Sequence, residues 1–289
     1  MLFKQIFLQN NKVTDMDLNI NSTLKLNNGI DIPIIGLGTW TLTGKGAYYS
    51  VLHALEAGYK LIDTAAMYGN ERKIGEAVKD ADIPREDIFI TTKVWNSAHG
   101  YDKTLKAFER SLRKLDMSYV DLYLIHWPVS GLRNETWKAL EKIYEDGKAR
   151  SIGVSNFTIR HLNELLETTS TIPAVNQFEF SPFLYLKELM DFCQSKKIVV
   201  EAYCPLTRGQ KLDNPQLKAI GQKYGKTSAH VLLRWGIQHH VIQIPKSGSK
   251  DHIIENIDIF DIVLDNEDMK QLDNLNEDFR NVDNPSIWE

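Results

Sequence analysis

Four residues in the first half of the chain carry side chains whose chemistries combine: Asp63, Tyr68, Lys93 and His126. Asp63, Lys93 and His126 stand at the ends of short apolar runs, KLIDTA (60–65), DIFITTKV (87–94) and VDLYLIH (120–126), and Tyr68 follows Asp63 by five positions. A lysine that ends a buried run is costly unless it is paired, and Asp63 on the preceding run is its candidate partner. An ammonium near a phenol favours the phenolate and lowers a reference pKa of about 10. A phenol so tuned can donate a proton near neutral pH. Taken singly, the same residues have plainer explanations: an ion pair that only holds the fold, a packed aromatic, a satisfied core histidine.

These residues need a scaffold that gathers the ends of separate strands. Eight runs rich in Val, Ile and aromatics recur along the chain, at 32–39, 60–65, 87–94, 120–126, 150–156, 174–180, 198–204 and 241–247. Several are apolar nearly throughout, as in parallel strands buried on both faces. Amphipathic segments alternate with them; Leu105, Phe108, Leu112 and Leu115 share one helical face, as do Trp137, Leu140 and Ile143, with Gly147 at the stop. Eight strand–helix units predict an α/β fold of the (β/α)₈ TIM-barrel type, with active residues at the C-terminal strand ends. A doubly wound open sheet is the competitor, but GLGTWTLTG (36–44) is not the GxGxxG phosphate loop that such sheets carry. The barrel reading adds Ser155, Asn156, Gln177, Glu179, Tyr203 and Lys246 to the rim. Segment 22–32, with Asn27-Asn28-Gly29 at its turn, predicts an N-terminal β-hairpin that caps the barrel floor. With no linker or repeat, residues 1–289 read as a single domain, and 1–15 as a disordered extension outside the fold.

Composition narrows the class. Hydrophobic content of 43% and charged content of 25% are those of an ordinary globular chain. A net charge of -4 without a basic cluster gives no reason to expect nucleic acid or an anionic membrane as partner. Cys193 and Cys204 have neither CxxC nor zinc-finger spacing, and read as reduced thiols. No apolar run approaches the roughly 20 residues of a membrane span, and the N-terminus lacks a signal-peptide cleavage site. The expectation is a cytoplasmic, monomeric protein acting on a small molecule.

Longer motifs point to a family. GYKLIDTAAMYGNERKIG (58–75) resembles the first signature of the aldo-keto reductases. TTKVW (91–95), YVDLYLIHWP (119–128), GVSNF (153–157), NQFEFSP (176–182), AYCPL (202–206) and IPKS…IIEN (244–256) resemble its later segments, in order, over about residues 22–289. The resemblance implies NADPH-dependent reduction of aldehydes and ketones by hydride transfer. It implies Tyr68 as general acid, Lys93 lowering the pKa of Tyr68, Asp63 anchoring Lys93, and His126 orienting the carbonyl. Tyr203 would stack on the nicotinamide, and Ser155, Asn156 and Gln177 would hold its carboxamide. Gly38, Thr39, Trp40 and Asp63 would lie along the cofactor, and Pro205, Leu206 and Arg208 near its pyrophosphate, though a solvated surface role competes for Arg208. Lys246 and Ser247 would grip the 2′-phosphate, with Glu255 and Asn256 facing the adenine. Trp40, Trp95, His126 and Trp127 would line the substrate pocket, and Trp288 in the tail either touches substrate or lies on the surface.

The sequence departs from the family in three places. His252 stands where the family usually places an Arg on the 2′-phosphate. Losing a charge-assisted contact costs about 1.5–3 kcal/mol, roughly one to two orders of magnitude in affinity. The expectation is NADP(H) preferred but less sharply, with some NAD(H) accepted, unless a neighbour such as Lys250 compensates. Ser181 replaces a frequent His, and the connection 127–135 is short, which suggests an open pocket. Two other classes remain open: a non-enzymatic cofactor-sensing relative on the same scaffold, and a Schiff-base lyase using Lys93. The ligand set of a zinc-dependent alcohol dehydrogenase is absent.

Overall fold

The computed structural model describes residues 17–288, so the expectation for 1–15 lies outside the described residues. Two short strands, β1 (Thr23–Lys25) and β2 (Asp31–Pro33), form an antiparallel hairpin in register Thr23↔Pro33. Gly29 in its turn has φ of +88°, a left-handed conformation that glycine adopts without strain. Asn27 donates to the carbonyls of Ile172 and Pro173, and Asn28 to Arg150 O and Ser151 Oγ. Leu26 and Ile32 join Leu61, Phe89, Leu122, Leu124 and Val175 in one apolar cluster. The hairpin therefore plugs the N-terminal end of the barrel, as its turn residues predicted.

Eight parallel strands follow: β3 (Gly36–Gly38), β4 (Leu61–Asp63), β5 (Phe89–Val94), β6 (Val120–Ile125), β7 (Ala149–Ser155), β8 (Val175–Glu179), β9 (Val199–Tyr203) and β10 (Ile242–Gln243). Each pairs with the next in chain order. The parallel bridges Ile35↔Gln243 and Gly38↔Lys246 join first to last and close the ring. Gly38 is needed there, because a Cβ would meet Ile244 O at 2.7 Å. Every residue of β4, β5 and β6 is buried, which is why these runs lack the apolar–polar alternation of a one-faced sheet.

Helices cover the outside: α1 (Gly44–Glu56), α2 (Glu71–Asp80), α3 (Tyr101–Leu115), α4 (Arg133–Glu145), α5 (Ile159–Leu166), α6 (Lys187–Ser195), α7 (Pro215–Tyr224), α8 (Ser228–Gln238), α9 (Lys250–Glu255) and α10 (Asn266–Asp273). On α3, Phe108, Leu112 and Leu115 are buried as their spacing predicted, while Leu105 is only half-buried at the edge of that face. Burying a side chain like Phe108 contributes roughly 1.5–3 kcal/mol. Trp137 and Trp235 are fully buried packing residues. Among the described residues no helix is long and apolar enough to cross a membrane, and no cluster of His, Cys, Asp and Glu could hold a metal.

Candidate active site

The strands end together at one mouth, and their last side chains build a cup. Asp63 ends β4 and Lys93 lies one residue from the end of the neighbouring β5. Lys93 Nζ donates to both Asp63 oxygens, at 2.6 and 2.7 Å, and to Thr64 O at 3.0 Å. Both side chains are essentially without solvent contact. The three ammonium protons are thereby all used. Burial pushes the Asp63 carboxyl up, and the Lys93 ammonium and the Gln177 amide pull it back.

Tyr68 sits on a short 3₁₀ turn (Ala66–Tyr68) just beyond β4, with Lys93 Nζ 5.2 Å from its ring centroid. The expected depression of its pKa is not seen in this site. Burial pushes the phenol well up, and the Asp63, Cys204 and Glu201 side chains reinforce it. The physical reason is desolvation of the phenolate first and the Asp63 carboxylate second, which sits against the Lys93 ammonium and offsets its charge. The phenol is therefore held in its neutral, proton-carrying form.

His126 follows β6 and is buried. Burial, then the Lys93 ammonium, then His99, hold its imidazole well below its ordinary value, so it is neutral and offers one N–H. Its ring lies 5.7 Å from Tyr68 and 5.1 Å from Trp95, centroid to centroid. Trp40 lies 4.9 Å from Tyr68, and Trp127 lies 6.2 Å from Trp288. The tail is led there by Glu179 at the end of β8, whose carboxylate accepts from Asn281 N, Asn281 Nδ2 and Val282 N. An aromatic wall thus surrounds one phenol and one imidazole N–H, with Trp288 at its rim.

On the far side of the cup the amides are pre-aimed. Asn156, at φ +65°, donates to His126 O (2.9 Å) and Ser155 Oγ (3.1 Å) and accepts from Tyr203 Oη (2.7 Å). Gln177 spends both amide protons, on Asp63 Oδ2 (2.9 Å) and Glu201 Oε2 (2.7 Å). Its carbonyl is left as the acceptor. Thr39 Oγ1 donates to Asp63 O, so Thr39, like Gly38, visibly serves the barrel wall.

Next to the cup a cavity of about 480 Å³ is lined by Leu206, Lys246, Ser247, His252, Glu255 and Asn256, and also by Lys218, Gln222 and Lys226. Cations, hydroxyls and amides of this kind suit a phosphate and a nucleobase, so the residues fit the far end of a dinucleotide. Lys226 is committed to Asp258 and Asp261, and Lys218 to Asp213. Lys250, the anticipated substitute for an arginine, points away and pairs with Glu56 at 3.2 Å. Pro205 is buried behind the cavity and Arg208 is exposed at φ +51°, outside the lining.

Sequence reasoning missed Glu201, His99 and the three added cavity residues. Glu201 lies two residues before Tyr203 on the same strand face, so strand periodicity could have found it.

A sequence profile of the aldo/keto reductase family matches residues 34–277. The chain is 50% identical over 271 residues to a glyoxal reductase of Bacillus subtilis (strain 168), covering 93% of this chain and 98% of that one. An aldo-keto reductase from a Medee basin deep-sea metagenome library superposes with TM-score 0.88 at 45% identity, over 90% of this chain and 97% of the other. A Bombyx mori aldo-keto reductase, solved in complex with NADP, superposes with TM-score 0.87 at 36% identity, over 92% and 96%.

Proposed function

Because this chain belongs to the aldo/keto reductase family, whose members are NAD(P)H-dependent carbonyl-reducing enzymes, we propose that it reduces small aldehydes and ketones, α-dicarbonyls such as glyoxal among them, with NADPH preferred and NADH accepted. The observation that carries this reading is the buried Asp63–Lys93 pair set beneath Tyr68, with neutral His126 beside it, in the same barrel as a cavity lined by Lys246, Ser247 and His252.

The bound cofactor would supply the hydride. His126 donates its N–H to the carbonyl oxygen and orients it. Tyr68, half-buried with its phenol pushed well up and so neutral, hands its proton to that oxygen as negative charge develops there. Lys93 places positive charge under the phenol as it becomes a phenolate, and Asp63 keeps that ammonium in place. Gln177 and Asn156 orient the carboxamide with their acceptor oxygens, since their protons are taken. Tyr203, tethered through Asn156, offers its ring face to the nicotinamide. Leu206, which lines the cavity, would flank the cofactor's course between the two ends, with Gly38, Thr39, Trp40 and Pro205 on the barrel side and Arg208 toward solvent. All the groups come from one barrel, which supports a single chain as the active unit.

Cofactor choice rests on the outer cavity. Lys246 and Ser247 take the 2′-phosphate with His252, and Glu255 and Asn256 take the adenine. His252 supplies an imidazole ring N–H where an arginine supplies a planar charged fork. Lys250 does not compensate, because it is turned to Glu56. The aromatic wall of Trp40, Trp95, Trp127 and Trp288 suits modest carbonyl compounds. The test is cofactor oxidation followed with glyoxal and a panel of aldehydes, NADPH and NADH in parallel. Consumption of both, faster with NADPH at low concentration, supports the proposal. No consumption by cofactor-binding protein would favour a sensing role instead.

A further inference from the structure

We propose that Glu201 is a positioning residue for carbonyl reduction, holding the Gln177 amide and, through it, the Asp63–Lys93 pair in register with the cup. This rests on the reading of Asp63, Tyr68, Lys93 and His126 given above.

Glu201 lies on β9 with no solvent exposure, directly across from Gln177 in the parallel register of β8 and β9. Its Oε2 accepts one Gln177 amide proton at 2.7 Å, while Asp63 Oδ2 accepts the other at 2.9 Å. A primary amide has two protons, so this arrangement fixes which way the amide faces. Without Glu201, the amide could turn over and present its nitrogen to the cup. It could equally leave Asp63, which would loosen the carboxylate that holds Lys93. Glu201 Oε1 has no hydrogen-bond partner among the described residues.

The charges around this group are Asp63 on β4 and Lys93 on β5, with Tyr68 beyond them. Two buried carboxyls share a single ammonium, and Asp63 holds that ammonium at both oxygens. Glu201, left with one neutral donor, is the carboxyl that keeps its proton; burial, then the Asp63 charge, pushes it up to about 8. An unfolded glutamate loses that proton near its ordinary value of 4.5. Between these two values the folded state binds more protons than the unfolded one. The contribution of Glu201 to stability therefore falls as pH rises from about 4.5 to about 8. Above that window the ionised carboxyl opposes the negative charge that develops on the carbonyl oxygen, and reduction slows.

The experiment compares the full-length wild type with Glu201→Gln and Glu201→Leu, measuring thermal melts across pH, NADPH affinity by fluorescence, and steady-state reduction of a small aldehyde. Glu201→Leu strands one Gln177 N–H and should lower kcat and NADPH affinity about tenfold each, with the aldehyde KM little moved. Glu201→Gln keeps a carbonyl acceptor and should recover most of that loss. It should also lack the alkaline fall in kcat that the wild type shows near pH 8, and its Tm advantage over wild type should grow from pH 5 to pH 8. Glu201→Leu matching the wild type in kcat and affinity would overturn the positioning role alone. So would Glu201→Gln with an unchanged pH profile and a Tm difference that does not vary with pH. A wild type that turns over no carbonyl overturns the reduction reading and this role with it.

Discussion

The two ends of the proposed cofactor site are built on opposite terms. At the cup, Asp63, Lys93, Gln177 and Glu201 are buried at 2% exposure or less, and every proton of Lys93 and Gln177 is assigned a partner. At the outer cavity, Lys246 and His252 are exposed, and the neighbouring lysines are held by surface carboxylates. The difference teaches where change is tolerated. A buried charge that loses its partner has no water to replace it, whereas an exposed side chain can be exchanged with little effect on the stability of the fold. On the proposed reading, the cup would fix the carbonyl chemistry and the rim would adjust cofactor preference without touching it.

The sharpest way to break the comparison is Asp63→Leu. It strands the Lys93 ammonium in the barrel and should destabilise the fold by about 3–5 kcal/mol as well as abolish turnover; a denaturant melt and a rate assay check both, and a stable, active variant would erase the contrast. His126→Leu should cost about 10²–10³ in kcat with the fold intact, the scale of losing one donor to a developing oxyanion. Because His126 is held neutral well below its ordinary value, reduction should show no acid-side inflection near the ordinary histidine value of 6.5. An inflection in kcat there would mean that a titrating imidazole sits in the cup. At the rim, His252→Arg should tighten NADPH by about one to two orders of magnitude while NADH moves little; isothermal titration with each cofactor reads the ratio. The smallest effect is expected for Lys250→Ala, under about twofold on either cofactor, since it costs only an exposed ion pair with Glu56. A larger loss of NADPH affinity would show that Lys250 turns into the cavity.

Much of the molecule was legible in its residues. The eight strands, the hairpin floor and the positions of Asp63, Lys93 and His126 follow from apolar runs, one turn and polar strand ends, because a barrel gathers strand ends whatever its loops do, while Tyr68 came from its spacing after Asp63. The direction of the Tyr68 shift was not legible, since it depends on how far the closed fold desolvates the phenol and how near it brings Asp63, Cys204 and Glu201. Glu201 was hidden for a related reason: a carboxyl within a strand reads as an exception until its register opposite Gln177 is known. The extra lysines of the outer cavity come from α7 and the turn before α8, far in sequence from IPKS, so only the closed fold brings them to Lys246.

The division between the two ends is tested most directly by Tyr68→Phe, which removes a single hydroxyl from the cup. NADPH dissociation constant and single-turnover reduction of a small aldehyde should be measured on the same preparation. The account predicts turnover lowered by at least about 10³, with NADPH affinity within about twofold of wild type. Near-normal turnover with Phe at position 68 would contradict it, because the proton would then come from elsewhere in the molecule.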